Sequence, residues 1–449
     1  MTSKRIGART VSLAVGATGL SLVLAACGSG SSSGGSKAAS TETTGVTITV
    51  ALASDPPPKA SLDEFTKSTG ITVKWSNIDW DSLQTKITAA ATAKTYFADA
   101  TDVDWSRVGQ LAKLNAFYPM SEYVDTKSMA PDMPQLTSFT TKGNVVGIPY
   151  DASFDVTTIN KKMFDKAGVG RPKTMTAYTD ALRQIKSKGV VQYPLDIPFA
   201  AAEGLSTYWY QATAAFGGTV LDDKGKPQFA DPQSPGYKAA QWMVDSFKGG
   251  LVPPGNINVT DSQGQQTLMA KGLVASVFGD YSGTVGSLYD VPASSKVVHQ
   301  VTYLPTPSMD GQPGPNNSNP DGIGIPRTAK YPKAAAKFIE WFTSAKNQAD
   351  FAGLNGPEKA LSGYTMPSHL SVIKQMASKG QLIGGDQLAT MLKSTSRPIF
   401  AGGAPSWYPE FSRAVYTNLH SAASGAQSVD SAVKAIAATA DRLSRSSGS

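Results

Sequence analysis

The sequence predicts an α/β fold divided between two lobes, and three observations carry that prediction. Residues 46–75 read strand, helix, strand: Val46-Thr47-Ile48-Thr49-Val50 alternates, a helix-forming run closes at Gly70, and Ile71-Thr72-Val73-Lys74-Trp75 alternates again. That order favours a parallel pair joined by a right-handed crossover. The same rhythm recurs along the chain, without an internal repeat of solenoid or propeller period. Finally, the chain has 449 residues, 41% of them hydrophobic, and even without its first 26 it exceeds what one core holds.

The elements follow in order. Ser61 and Glu64 have the spacing of a capping box for the first helix. A helix is expected over 81–93, a strand over 99–103, and a helix over 105–114 with Val108, Leu111 and Leu114 on one stripe. A strand-like run at 145–149 comes next. Asn160 is placed to cap the helix that Gly168 closes, and Thr176 the one that Gly189 closes. Further helices are expected over 204–216, 236–247, 263–271, 334–343 and 407–443, the last broken at Gly425, and strands over 273–278, 297–304 and 322–326. Trp75 alternates with Val73 and Ile71, and Trp242 and Trp341 lie within helix-forming runs; all three are assigned to the core.

The amino terminus has a separate organisation. Lys4, Arg5 and Arg9 precede an apolar run over 11–26, which has the charge order of a secretory signal and falls short of the ~20 residues that span a membrane. Next comes Leu24-Ala25-Ala26-Cys27, which holds the single cysteine and resembles the lipobox of bacterial lipoproteins. That resemblance implies a diacylglycerol thioether on Cys27 and a lipid anchor on the extracytoplasmic face of the cell membrane. A single cysteine also excludes an intramolecular disulfide. The Gly/Ser cluster at 28–36, continued to residue 44, reads as a flexible tether.

The formal charge of +7 falls to +4 once residues 1–26, with three basic and no acidic residues, are set aside. With no Lys/Arg-rich run, nucleic acid is not an expected partner. Several chemical motifs fail on context. Gly30-Ser31-Ser32-Ser33-Gly34 matches a nucleophile elbow but lies in the tether. His299, His369 and His420 are isolated, which argues against zinc. The run from Asn317 to Gly322 imitates half a calcium loop, yet its twelfth position is Thr328. Gly322-Ile323-Gly324 lacks the third glycine of a dinucleotide loop. No metal or cofactor is therefore expected. Paired carboxylates for glycoside hydrolysis depend on the fold and stay open from sequence.

Several segments taken in order resemble the extracellular solute-binding proteins of ABC importers, in the sugar-binding group that includes maltose-binding proteins. They are VVGIPYDASFDVTTINKKMF at 145–164, the helix entry at 168–182, Phe216-Gly217-Gly218 with Leu221-Asp222, and the Lys271-Gly272 element running into Gly279-Asp280-Tyr281. Leu304-Pro305-Thr306-Pro307, the helix at 334–348 and the terminal pair at 406–443 complete the set. Two departures stand out: Thr157-Thr158 replaces the group's aromatic pair, and Tyr281 replaces its tryptophan.

The resemblance implies a two-lobed, periplasmic-binding-protein-like fold of the Venus flytrap kind, with crossing hinge strands near 149–154 and 304–311. Residues 45–150 and about 311–365 would form the amino-terminal lobe, and about 151–310 with 366–449 the carboxy-terminal lobe. It also implies a monomer that binds a sugar or oligosaccharide in the interlobe cleft, performs no chemistry, and delivers its ligand to the permease. A polyol, a polyamine or another small solute is the alternative ligand, and a lipid-anchored glycoside hydrolase the alternative from another class. A sugar receptor needs carboxylates for hydroxyls and flat rings for C–H faces. Loops at strand ends supply Asp55, Asp104 with Trp105, and in second rank Asp79 with Trp80. Asp151 stands at the first crossing; Tyr208 and Trp209, Asp280 and Tyr281, Asp321, and Trp407 with Tyr408 come from the rest of the chain.

Overall fold

A computed structural model describes residues 40–260, 265–354, 366–401 and 403–447. Cys27, the signal-like run and the tether up to residue 39 lie outside the described residues. The strands are β1 (Val46–Leu52), β2 (Ile71–Asn77), β3 (Ala100–Asp104), β4 (Thr140–Thr141), β5 (Asn144–Val145), β6 (Ile148–Asp151) and β7 (Asp155–Asn160). They continue with β8 (Leu195–Asp196), β9 (Ser276–Tyr281), β10 (Val301–Leu304), β11 (Asn316–Asn317), β12 (Asp321–Gly324) and β13 (Ser396–Arg397). The helices are α1 (Lys59–Thr69), α2 (Trp80–Ala93), α3 (Val108–Lys113), α4 (Thr126–Met129), α5 (Lys161–Ala167), α6 (Met175–Ser187), α7 (Glu203–Ala215) and α8 (Pro235–Lys248). After them come α9 (Gln265–Ala270), α10 (Pro332–Phe342), α11 (Ala345–Phe351), α12 (Leu370–Ser378), α13 (Gly385–Ser394), α14 (Tyr408–Ala423) and α15 (Val429–Ser447).

Two sheets organise the chain. The first has the order β2-β1-β3-β12-β6, with β1 parallel to β2 and β3, and β12 antiparallel to β3 and β6. The second has the order β10-β7-β9-β8. The chain leaves the first sheet after Asp151 and enters the second at Asp155; it returns between the end of β10 at Leu304 and the start of β12 at Asp321. Both passages run past the carboxyl end of β3, so they bring the two sheets' loops together there.

Three apolar clusters hold these layers. Ile48, Val50, Phe65, Ile323, Phe338 and Phe342 pack α1 and α10 on the first sheet, while Val156, Val277, Tyr289, Ile373 and Leu388 pack α12 and α13 beside the second. The third runs without a gap from Leu83, Val103 and Trp105 to Trp209, Tyr210, Phe278 and Tyr408. Trp105 thus belongs to a continuous apolar connection between elements of both sheets.

Local signals shift several boundaries. Helix α1 starts at Lys59, directly after Pro58, and no side chain caps it, so Ser61 falls inside the first turn. The run Pro56-Pro57-Pro58 fixes φ and sets the helix entry ahead of the expected cap. Thr174, not Thr176, caps α6 by accepting from the Ala177 amide. The helix expected from Trp105 starts only at Val108, because the Ser106 amide donates to Asp104 Oδ1 at 2.7 Å and forms a turn first. Strand β9 ends at Tyr281 and excludes Leu273, which is 51% exposed. Asp79 caps α2 and Asn160 caps α5. Gly425, at φ 85°, separates α14 from α15. Residues 263–264 of one expected helix lie outside the described residues.

Candidate functional site

The end of β3 carries the most concentrated polar chemistry. Asp104 ends β3, Asp321 begins β12 and Asp151 ends β6; in the ladder Asp321 stands opposite both Asp104 and Asp151. Directly opposed residues in antiparallel strands have Cα atoms about 4.5–5.5 Å apart, so three carboxylates form a row across three neighbouring strands. Asp102, two residues back on β3, is 1% exposed and adds a fourth acid behind the row.

Each acid is fixed differently. Asp104 accepts from Trp80 Nε1 at 3.1 Å and from the Ser106 amide and hydroxyl. Asp102 Oδ2 accepts from Gln84 Nε2 at 2.5 Å. Asp151 accepts from the Ser153 amide at 2.7 Å, and burial pushes its carboxyl up to about 7. Asp321 is half-buried; burial first, then the charges of Asp102, Asp151 and Asp104, hold it well above the usual carboxylate range. Burial and Asp104 do the same to Asp102.

Beside the row stands an aromatic group. Trp105 donates from Nε1 to Asn319 Oδ1 at 2.6 Å, and its ring centroid lies 5.7 Å from that of Tyr408 and 6.5 Å from that of Phe400. The Tyr408 hydroxyl donates to Glu203, which also faces Arg107 Nη2 at 3.8 Å. The Arg107 guanidinium sits 5.4 Å from the Trp80 ring centroid and 5.7 Å from that of Tyr408. Burial raises the Glu203 carboxyl and Arg107 opposes that rise.

One segment ties both halves to this place. Asn316 Nδ2 donates to the Asp155 carbonyl at 2.6 Å, the Asn317 amide to Gln211 Oε1 at 2.8 Å, the Ser318 amide to the Arg397 carbonyl at 2.7 Å, and the Asn319 amide to the Ser153 carbonyl at 2.9 Å. The chain then enters β12 at Asp321.

The structure thus brings Asp104, Trp105, Asp151 and Asp321 together. Asp55 is exposed after β1, where its carboxylate accepts from Asn77 Nδ2 at 3.2 Å. Tyr281 is half-buried opposite Asp155, and Trp407 is half-buried at the start of α14, its ring edge-on to Phe411 at 5.8 Å. Three expectations need correction. Trp209 is fully buried, donates from Nε1 to the Gly236 carbonyl at 2.9 Å and packs on Phe229: it is a core residue, because α7 is buried along most of its length. Tyr208 is 2% exposed, with its ring against Gly279. Asp280 has no exposed surface, and its oxygens accept from Thr158 Oγ1, Tyr289 Oη, the Tyr281 amide and Gln266 Nε2. It knits the second sheet together rather than facing a cleft.

Arg107, Glu203, Asn319 and Phe400 were not singled out from sequence. Glu203 in the first turn of α7 carries a signal only in retrospect, since the Arg107 it faces is remote in sequence. Two concavities lie elsewhere. One of about 680 Å³ between α6 and α8 is lined by Met175, Trp242 and Met309, and its Arg183 and Asp180 pair with each other. Another of about 600 Å³ separates Lys113 and Lys142 from Leu221, Phe400 and Trp407. Among the described residues no group of three or more His, Cys, Asp or Glu is disposed to hold a metal ion, and no helix is long and apolar enough to cross a membrane.

Comparison with known proteins identifies the fold and the family. The diacetylchitobiose binding protein DasA of Streptomyces coelicolor is 23% identical over 364 residues, 78% of this chain and 81% of that protein. A putative binding protein of Brucella abortus is 25% identical over 191 residues, 41% of this chain and 45% of that protein. The maltose-bound MalE3 of T. maritima superposes with a TM-score of 0.74 at 20% identity, covering 89% of this chain and 100% of that one. A ribitol-bound ABC transporter solute-binding protein from Agrobacterium radiobacter superposes with a TM-score of 0.76 at 23% identity, covering 89% and 99%. These superpositions establish the two-lobed α/β fold that the sequence predicted. A family model described as bacterial extracellular solute-binding protein matches residues 52–349, well over half the sequence, and the chain belongs to that family.

Proposed function

We propose that the chain is the extracytoplasmic receptor of an ABC importer, anchored by lipid at Cys27, which binds a sugar or polyol and hands it unchanged to the permease. The observation that carries this reading is the row Asp104–Asp321–Asp151 beside Trp105, whose ring meets Tyr408 and Phe400. Ionised acids accept from ligand hydroxyls in charge-assisted bonds of about 1.5–3 kcal/mol each, and an acid that keeps its proton also donates. Three or four such bonds with one stacked ring reach micromolar affinity, about 8 kcal/mol, after ordering costs.

The contacts Trp105 on Tyr408 and Arg107 on Glu203 are made in this structure, and hinge opening that parts them would admit the ligand. The passages at 152–154 and 305–320 support lobes divided into 45–150 with about 311–365, and about 151–310 with 366–449.

A thermal shift of residues 45–449 tests the reading, with diacetylchitobiose, maltose, ribitol, mannitol and polyamines as the panel. A ligand at 100 times its Kd adds about 2.7 kcal/mol. Stabilisation by a sugar or polyol that is recovered intact supports the proposal; a cleaved sugar, or a response to polyamines alone, refutes it. Anchoring is tested separately: Cys27→Ser should release the protein from the membrane fraction, and unchanged retention would count against lipidation.

A further inference from the structure

His369 stands where elements of the two sheets meet away from the aspartate row. Just before it, the Met366 carbonyl accepts from the Ala152 amide of the first passage at 2.8 Å. Ser368 donates from its amide and its hydroxyl to Gln348 Oε1, and Gln348 Nε2 donates to the Tyr150 carbonyl on β6 at 3.0 Å. From His369 the chain enters α12, which packs through Val372, Ile373 and Met376 beside the second sheet. Yet the first turn of α12 is held by Asp132, whose neighbours Met133 and Leu136 belong to the cluster on the first sheet. The Asp132 carbonyl accepts from the Leu370 amide and its Oδ1 from the Ser371 amide, each at 2.8 Å, while Oδ2 accepts from the Ser371 hydroxyl at 2.6 Å.

The His369 imidazole, 8% exposed, lies between two acceptors. Nδ1 is 2.8 Å from Asp132 Oδ2, and Nε2 is 2.8 Å from the Thr343 carbonyl at the end of α10. A neutral imidazole donates from one nitrogen only, whereas the doubly protonated ring donates from both. Carboxylate and carbonyl together therefore select the imidazolium. Burial disfavours charge on Asp132, but its bonds from Ser371 and His369 outweigh burial and hold the carboxyl below its usual value, so the proton stays on the ring. Asp132 is the charged group that meets the ring; α10 presents the Thr343 carbonyl, whose place at a helix end also favours a cation, and α12 presents Ser371, which shares the carboxylate. Loss of one proton turns a lone pair on an acceptor and undoes one of the two fastenings. We propose that His369 is a positioning residue of the hinge: doubly protonated, it clasps α12 to Asp132 and Thr343 and favours the arrangement in which Trp105 meets Tyr408 and Arg107 meets Glu203. Raising the pH removes the second ring proton and lets the two halves part. The inference uses the hinge motion of the receptor reading above and requires no contact between His369 and the ligand.

Distances between two spin labels, measured without ligand, test the clasp. Cys27→Ser removes the single native thiol, and Lys113→Cys with Lys224→Cys places labels at exposed positions that line the concavity of about 600 Å³. The population with widely separated labels should rise about tenfold between about pH 5 and about pH 9, the size of one charge-assisted hydrogen bond. His369→Gln has no ring proton to lose and should show the separated population at both pH values. That variant keeps Asp102, Asp151 and Asp321, so a widening of equal size with and without His369 belongs to those carboxyls and overturns the clasp. An unchanged distance with His369 present overturns it too. If His369→Gln fails to fold, heteronuclear NMR of the imidazole nitrogens decides, with His299→Gln and His420→Gln assigning the third ring by elimination. A His369 ring with one proton at about pH 5 overturns the proposal; two protons, one of them lost as the labels separate, support it. Failure of the clasp leaves the sugar or polyol reading to its own thermal-shift panel.

Discussion

Asp151→Asn should make the ligand-free protein more stable at pH 8 while changing little at pH 4. Asp151 is 4% exposed, and burial raises its carboxyl from 3.8 to about 7. Because the folded value exceeds the unfolded one, the folded state holds the proton more tightly. Its contribution is fully present below about pH 4 and is lost as pH rises to about 7. Each pH unit across that window costs about 1.4 kcal/mol, so the loss approaches about 4 kcal/mol above pH 7. Asparagine imitates the protonated acid in shape, keeps an oxygen for the Ser153 amide, and has no charge to desolvate. Urea unfolding of both proteins at half-unit intervals from pH 4 to 8 measures the difference. A gap that stays constant with pH, or a variant less stable than wild type at pH 8, would refute the argument that desolvation dominates at this carboxyl.

Other substitutions separate structure from binding. Trp105→Ala removes the bond to Asn319 and the contacts with Tyr408 and Phe400, and should cost about 3–5 kcal/mol of stability as well as ligand affinity, seen in paired urea and calorimetric titrations. Asp280→Ala strands the hydroxyls of Thr158 and Tyr289, so chemical denaturation should show a loss of about 1–3 kcal/mol; a loss of affinity at unchanged stability would contradict the structural role. Gly279→Ala meets both a φ of 73° and the Tyr208 ring at 2.8 Å, and its melting temperature should fall clearly below that of a neutral surface substitution.

What could be read from sequence was local. The alternation in β1 and β2, the glycine that closes α1 and the Asn160 cap each depend on a few neighbouring residues, and each appears in the fold. Helix starts were less legible where two local signals competed, as at Pro58 with Ser61. The row of acids was legible only as separate candidates. Asp104, Asp151 and Asp321 were named, but their adjacency is a property of strand order, and Trp105 meets Asn319 from 214 residues away. Trp209 and Asp280 failed for a related reason: a polar or aromatic residue beside a predicted loop looks the same whether it faces solvent or fills the interior. Burial of α7 along most of its length and the Thr158–Asp280–Tyr289 bonds are decided by packing that no short window contains.

The segment from Asn316 to Asn319 has partners at four successive positions, drawn from the hinge passage, β7, α7 and β13. Three of the four bonds are donated by backbone amides, so a substitution other than to proline keeps them. An insertion or deletion of a single residue would shift every partner by one place and turn Asp321 away from Asp104 and Asp151. Divergence of this stretch among descendants of the same gene should therefore proceed by exchange of residues at constant length.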